Sequence, residues 1–167
     1  MLYLIRHAHA VPGEQDPIRP LSLQGINECN ALVRFFEANG QLPLLQLWHS
    51  SLVRSRDTAD RLAFGLKLDG ARVEIPGITP DDEPEGILER LNALPERANI
   101  GLVGHEPHLA RLATLLIRGR PKPVFCDFKK AAVMALRRTD SPHKRTGLPR
   151  WELLWFVTPS LLATPPS

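Results

Sequence analysis

Short apolar runs alternate along the chain with longer segments in which apolar residues recur every three or four positions. The short runs predict buried strands and the longer segments predict amphipathic helices. The predicted strands span residues 2–6, 44–50, 72–75, 99–105, 131–138 and 150–157. The predicted helices span residues 22–40, 52–66, 84–95 and 106–117. This order favours an α/β three-layer sandwich whose mostly parallel central sheet has about five or six strands, the last two forming a hairpin.

The predicted helix boundaries depend on residues with strong positional preferences. Ser22 and Ser50 can each cap the helix that follows them, and Gly40 ends the first helix. Pro107 is expected in the first turn of the fourth helix, where its missing N–H costs nothing.

The 167-residue chain has an ordinary globular composition, 43% hydrophobic and 23% charged. It shows no internal repeat or linker, so residues 1–158 are predicted to form one domain, followed by a loose tail over residues 159–167. Cys29 and Cys126 lack metal-site spacing, which favours reduced thiols in the cytoplasm. Because no leader and no membrane-spanning apolar run is evident, we expect a soluble monomer.

The net charge of +3 suits an anionic ligand as well as nucleic acid and does not choose between them. The densest basic run, residues 137–150, lies between two predicted strands and contains Pro and Gly. It is interpreted as a solvated hairpin loop, with a nucleic-acid or partner-binding patch as the alternative. Lys129 and Lys130 precede the first of these strands and are expected on a solvated face, with a place at the border of the site as the alternative. Neither nucleic acid nor a membrane is therefore predicted as a partner.

Three predicted strands end in histidine or arginine side chains. Arg6 and His7 close the first strand, and His49 closes the second, with Arg54 one helical turn later. His105 closes the strand "NIGLVG", directly before a predicted helix. Ligands of parallel α/β sheets bind outside the carboxyl ends of the strands, so these side chains are expected to meet there.

These residue types favour phosphoryl transfer. The guanidinium groups of Arg6 and Arg54 match phosphate oxygens and keep their charge. A neutral imidazole such as that of His7 can attack phosphorus and form a covalent intermediate. A second histidine, His105, can donate to a non-bridging oxygen as charge builds in the transition state.

Four segments resemble, in order, the motifs of the histidine phosphatase superfamily, which includes the phosphoglycerate mutases. "LIRHAHA" resembles its RHG/RHA signature, "RPLSLQG" its RPLTxxG, "SSLVRSRDTA" its SPxxRAxxTA and "LVGHEPHL" its LVGHxPxL. The matches cover residues 1–118, and the short chain is most similar to the SixA-type phosphohistidine phosphatase branch. Ser51 stands where the family usually has proline, and His9 occupies a variable position of the signature.

The resemblance implies a phosphoglycerate mutase-like fold and a phosphatase that needs neither metal nor cofactor. It implies His7 as the phosphate-accepting nucleophile, with the phosphoryl group held by Arg6, Arg54 and His105. Arg19, the arginine of the "RPL" motif, is implied to lie near the phosphate too. The implied partner is a phosphorylated protein, such as a histidine-containing phosphotransfer domain, and a small phosphorylated molecule stays open as the alternative.

Larger superfamily members protonate a departing alkoxide with a carboxylic acid from an insertion after the second helix. Here that region is short and offers Asp81, Asp82 and Glu83, a cluster more typical of a solvated loop beside a helix start. Without an acid, phosphohistidine is the favoured substrate because its phosphorus–nitrogen bond is labile. With one of the three as proton donor, small phosphate esters become the alternative substrates.

The sequence allows three interpretations other than a phosphatase. The segments "HAH" (7–9) and "HEPH" (105–108) suggest a metal site, but matching carboxylates are absent and the arginines would repel a cation, so no metal is predicted. A non-catalytic phosphate- or phosphoprotein-binding module and a mutase are the remaining alternatives. His49, His108 and His143 are interpreted as structural or surface residues.

Overall fold

The computed structural model describes residues 1–13, 16–39, 46–68, 71–144, 147 and 149–162. A six-stranded sheet forms the middle layer. Its strands are β1 (Leu2–Arg6), β2 (Gln46–His49), β3 (Ala71–Glu74), β4 (Ile100–Gly104), β5 (Val133–Arg138) and β6 (Trp151–Val157). Each predicted strand is present, with small differences at its ends.

The strands lie in the order β3-β2-β4-β1-β5-β6. The first four are parallel neighbours, whereas β5 and β6 are antiparallel and form the predicted hairpin. The prediction of an α/β fold with a mostly parallel sheet is therefore confirmed. β1 and β4 lie at the centre, and both are almost completely buried because helices cover both faces of the sheet.

Helices on both faces complete the three layers. They are α1 (Leu23–Ala38), α2 (Val53–Gly65), α3 (Leu88–Asn92) and α4 (His108–Arg118), with 3₁₀ turns at Asp16–Ile18, Pro84–Ile87 and Pro159–Leu161. Successive residues of β1 face opposite layers: Tyr3 and Ile5 pack with α1 and α2, whereas Leu2 and Leu4 pack with α3 and α4. Two apolar cores therefore hold the sheet and fix the carboxyl ends of its parallel strands.

The start of α1 lies against the segment that follows β1. Ser22 caps the helix as predicted: its Oγ accepts the Gly25 N–H at 3.2 Å, and its own N–H donates to the His9 carbonyl oxygen at 3.0 Å. A Cβ on residue 25 would lie 2.0 Å from that same oxygen, so only glycine allows the approach. The helix therefore anchors the segment directly after His7.

Two predicted helix starts are wrong in detail. Leu52 rather than Ser50 is the N-cap residue of α2, and no side chain caps that helix. Pro107 is the N-cap residue of α4 rather than part of its first turn. Both helices begin later than predicted, because residues 51–52 form a bend and residues 106–107 a turn before the first helical residue. The predicted helix over 84–95 is divided into a 3₁₀ turn and α3, which ends at Asn92.

The basic run 137–150 connects β5 and β6. Arg137 pairs with Glu152 across the hairpin, and the Thr139 N–H donates to the Arg150 carbonyl oxygen at 2.8 Å. Its described part therefore begins and ends as a continuation of the hairpin, as the sequence predicts.

The first residues of the predicted loose tail have a defined structure. Residues 159–161 form a 3₁₀ turn, and Leu162 packs against the apolar core beneath α1 and α2. The rest of the predicted tail, the predicted helix end at Gly40 and the predicted strand residues 44 and 45 lie outside the described residues. Within the ranges that the structure describes, no helix is long and apolar enough to cross a membrane.

Candidate active site

The carboxyl ends of β1, β2 and β4 place polar side chains at one edge of the sheet. His7 follows β1, Ser50 follows β2 and His105 follows β4, which lies between the other two strands. The His7 N–H donates to the Gly104 carbonyl oxygen at 3.0 Å and extends the β1–β4 ladder by one residue. The two imidazole rings, of His7 and His105, lie 4.9 Å apart.

The His7 ring is buried, and its orientation is fixed by its neighbour in sequence. Nδ1 lies 2.7 Å from the Ala8 carbonyl oxygen, which accepts but cannot donate, so Nδ1 carries the ring proton and Nε2 the lone pair. Burial lowers the pKa of His7 to about 2, and the positive charges of Lys130 and Arg54 act in the same direction. The ring is therefore neutral across the physiological pH range.

Arg54 lies in the first turn of α2 and is almost completely buried, with 4% of its side chain exposed. Its Nε donates to His7 Nε2 at 3.2 Å. Its other two nitrogens hold Asp16: Nη1 donates to the backbone oxygen at 2.8 Å and Nη2 to Oδ2 at 3.0 Å. Thr58, one turn later, donates to the Arg54 carbonyl oxygen and accepts the Ala8 N–H, so α2 is tied to the His7 segment.

His105 is held by Ser50. The serine Oγ lies 2.5 Å from His105 Nε2, and the Leu52 N–H donates to the same oxygen at 3.4 Å. Burial lowers the pKa of His105 to about 3, and the charge of Arg54 adds to this effect. Its buried Nδ1 has no hydrogen-bond partner within the described ranges. The sequence predicts Ser50 only as a helix cap.

The other two predicted arginines lie around this centre. Arg6 Nη1 donates to the Phe128 carbonyl oxygen, and its buried Nε has no partner in the described part of the chain. Arg19 pairs with Asp16 and donates to the Val11 carbonyl oxygen at 3.3 Å. Asp16 therefore holds both Arg19 and Arg54, and it links the "RPL" segment to α2. Asp16 was not found from the sequence, because an aspartate beside a proline is typical of any turn.

Lys130 lies beside His7 rather than on the solvated face that its sequence favours. Its Nζ lies 3.2 Å from His7 Nε2, and the residue is only partly exposed, contrary to the favoured prediction of a solvated face. Burial lowers the pKa of Lys130 to about 8, and Arg6, Arg54 and Arg19 act in the same direction. The sequence signal was weak, because the neighbouring Lys129 is indeed 71% exposed and pairs with Asp127.

Comparisons with solved structures identify the fold. The protein histidine phosphatase SixA complexed with tungstate has a TM-score of 0.80 and 19% sequence identity, over 97% of this chain and 99% of that chain. The chain has the histidine phosphatase fold. A mycobacterial glucosyl-3-phosphoglycerate phosphatase complexed with VO₃ has a TM-score of 0.66 and 18% identity, over 92% of this chain and 97% of that chain. A structure described as mycobacterial hydrolase 1 has a TM-score of 0.67 and 17% identity, over 94% and 98%.

The fold similarity is not accompanied by close similarity in sequence. No protein-family model and no curated protein matches the chain. The fold confirms the resemblance that the four motifs indicate. The role of each residue in this chain follows from its own contacts.

The side chains of the acidic loop, residues 81–83, are exposed or bonded to residues other than those around His7. Asp81 is exposed. Asp82 Oδ2 accepts both the N–H and the hydroxyl of Thr79 at 2.7 Å, and these bonds lower its pKa although burial opposes them. Glu83 pairs with Arg111, which lowers its pKa. Asp82 and Glu83 are therefore ionised near neutral pH and hold no proton to donate.

The three histidines that the sequence favours as structural or surface residues make no hydrogen bond to His7 within the described ranges. His49 Nδ1 lies 3.0 Å from the Ser50 carbonyl oxygen, and His143 Nε2 lies 3.1 Å from the Leu116 carbonyl oxygen. His108 is buried on α4, and burial lowers its pKa to about 4. Among the residues that the structure describes, no group of three or more His, Cys, Asp or Glu side chains could hold a metal ion.

Proposed function

We propose that the protein is a metal-independent phosphatase that forms a phosphohistidine intermediate on His7. The observation that carries the proposal is the state of the His7 ring. Nδ1 donates to the Ala8 carbonyl oxygen, and the cationic side chains of Arg54 and Lys130 reach Nε2. A lone pair that stays unprotonated among cations is suited to attack an anionic phosphoryl group.

In the first step, His7 Nε2 attacks phosphorus and the bond to the leaving group breaks. Arg6 and Arg54 neutralise the non-bridging oxygens and cannot lose their charge to the substrate. We assign the Ser50 hydroxyl as the donor to His105 Nε2, because this leaves the His105 proton on Nδ1, free for a phosphoryl oxygen. Charge that develops in the transition state is thus met by donors that are already in place.

In the second step, water attacks the phosphorus of the intermediate, and the phosphorus–nitrogen bond breaks. The electron pair returns to Nε2, and phosphate leaves. The Ala8 carbonyl oxygen holds the proton on Nδ1 throughout, so the histidine departs as the neutral tautomer with which it began.

We infer that the substrate is phosphohistidine on a protein, a histidine-containing phosphotransfer domain in particular. Asp82 and Glu83 are engaged by Thr79 and Arg111, which argues against a carboxylic acid for an alkoxide leaving group. The tungstate complex of similar fold is described as a protein histidine phosphatase. The alternative, a small-ester phosphatase, is favoured by the similar fold of a glucosyl-3-phosphoglycerate phosphatase.

The experiment compares kcat/KM for a phosphohistidine-bearing protein with kcat/KM for a panel of small phosphate esters, with a chelator present throughout. We expect a strong preference for phosphohistidine and no effect of the chelator. A preference for an ester would favour the alternative and would return Asp81, Asp82 and Glu83 to consideration. Loss of turnover with the chelator would contradict the metal-independent mechanism, and tight phosphate binding without any turnover would indicate a binding module.

A further inference from the structure

The amine of Lys130 differs chemically from the arginines of the site, because an ammonium group can give up a proton and a guanidinium group cannot. The turn that carries it is fixed to the nucleophile: the Ala131 N–H donates to the His7 carbonyl oxygen at 3.3 Å, and the Arg6 N–H donates to the Ala132 carbonyl oxygen at 3.0 Å. Ala131 has a φ of 53°, a left-handed conformation that costs energy for a residue with a Cβ. The backbone is therefore strained at the residue directly after Lys130, whose side chain contacts His7.

Other groups of the site are poorly suited to give up a proton. The guanidinium groups of Arg6 and Arg54 stay charged. His105 is buried and neutral, and Ser50 engages one of its two nitrogens. Burial raises the pKa of Glu106, directly after His105, but its Oε1 accepts the Phe128 N–H at 3.0 Å, whereas the Lys130 amine lies at the attacking nitrogen of His7 itself.

We propose that Lys130 is the proton donor for the leaving group of the phosphatase reaction. The inference rests on the proposed function and adds to it the group that replaces the missing carboxylic acid. It also fits a nitrogen leaving group, because the ring of phosphohistidine has a basic nitrogen that can take the proton before the phosphorus–nitrogen bond is broken, whereas an ester oxygen becomes basic only as its bond breaks.

The proton moves as follows. A phosphoryl group that approaches His7 Nε2 to about 3–3.5 Å displaces the Lys130 amine, whose flexible four-carbon stem lets it shift to the edge of the phosphoryl group. As the bond between phosphorus and the leaving nitrogen breaks, Lys130 gives its proton to the departing imidazole and becomes a neutral amine. When water attacks the intermediate, the amine accepts a proton from that water, and the ammonium is restored.

The charges around Lys130 set the pH range of this step. The groups that face it are Arg6 from β1, Arg19 from the segment after β1, Glu28 from α1, Arg54 from α2, and the rings of His7 and His105. Burial and the three arginines bring the pKa to about 8, and Glu28 opposes them. We therefore expect kcat/KM, which reports the free enzyme, to fall as the pH rises through about 8.

The test measures kcat/KM for a phosphohistidine peptide, whose leaving group needs a proton, and for p-nitrophenyl phosphate, whose leaving group departs as a stable anion. Lys130→Met is expected to lose about 100-fold or more on the peptide, the usual contribution of a general acid, and about tenfold on the ester. Lys130→Arg should restore the ester rate but not the peptide rate, and should abolish the decline above pH 8. The control is Lys129→Met, since this neighbour is exposed and pairs with Asp127.

Equal losses on both substrates that Lys130→Arg restores would overturn the proposal and make Lys130 a phosphate-binding residue only. Unchanged rates in Lys130→Met, as in Lys129→Met, would also overturn it. Failure of the proposed function looks different: His7→Ala would then keep its turnover whatever residue 130 is. Circular dichroism of each variant separates these outcomes from loss of the fold.

Discussion

Replacement of Arg54 by alanine removes the donor that reaches the nucleophile from α2. The side chain makes three hydrogen bonds: one to His7 Nε2 at 3.2 Å and two to Asp16 at 2.8 and 3.0 Å. Because Arg54 Nε lies next to His7 Nε2, the attacking atom, a phosphoryl group bound at His7 would contact the guanidinium directly. Removal of one such preorganised donor typically costs about 2–4 kcal/mol of transition-state stabilisation.

That free energy corresponds to a fall in kcat/KM of about 30-fold to about 1,000-fold, since each 1.36 kcal/mol is tenfold in rate. The assay is steady-state hydrolysis of p-nitrophenyl phosphate, together with the affinity for vanadate as a phosphate analogue. Both should fall, because Arg54 meets charge in the bound state and in the transition state. Arg54→Lys should recover only part of the loss, since a point charge cannot keep the three contacts of the guanidinium.

The matched control is Arg56→Ala, on the same helix. Arg56 is half exposed, and its contact with Asp57 is long at 3.8 Å, so its removal should leave kcat/KM unchanged. The reasoning is refuted by an Arg54→Ala enzyme that keeps its fold and loses no more activity than Arg56→Ala.

Three further changes test neighbouring parts of the account. Ser50→Ala should lower kcat by about twofold to about tenfold with KM little changed, because the loss of one neutral hydrogen bond, worth about 0.5–1.5 kcal/mol, releases His105 without removing a charge; an unchanged kcat contradicts the assigned donor. Asp82→Asn and Glu83→Gln should each keep kcat/KM for phosphohistidine within about threefold, and a loss near that of a general acid, about 100-fold, would point to the alternative function. Finally, thermal unfolding should show stability falling as the pH decreases below 6.5. Below pH 6.5 the histidines of the unfolded chain take up protons, whereas a buried histidine with a lowered pKa, such as His105, stays neutral in the folded state. This difference lowers the free energy of unfolding by about 2 kcal/mol per such histidine at pH 5. A flat profile between pH 7 and 5 contradicts the burial argument.

The parts of the fold that the sequence predicts well are those set by local patterns. Apolar runs predict β1 and β4 because both strands are buried on both faces, and Ser22 predicts the start of α1 because a cap acts over three residues. The placement of His7 and His105 at one edge follows from a general property of parallel sheets rather than from their identity.

The contacts that complete the site could not be predicted, because residues far apart in sequence make them. Asp16 meets Arg54 across 38 positions, Ser50 meets His105 across 55, and Lys130 meets His7 across 123. Local preference even misleads at Ser50, where a serine before a helix is typical of a cap, yet its hydroxyl is bonded to a histidine from another strand.

The most direct test of the account is to trap the phosphoenzyme. The enzyme would be mixed with radiolabelled phosphohistidine protein, quenched in alkali within milliseconds to seconds, and digested to locate the label. The account predicts a transient label on His7 that survives alkali, is lost in acid and is absent from His7→Ala, in which turnover is abolished as well. A label on another residue, or turnover that continues in His7→Ala, would contradict it.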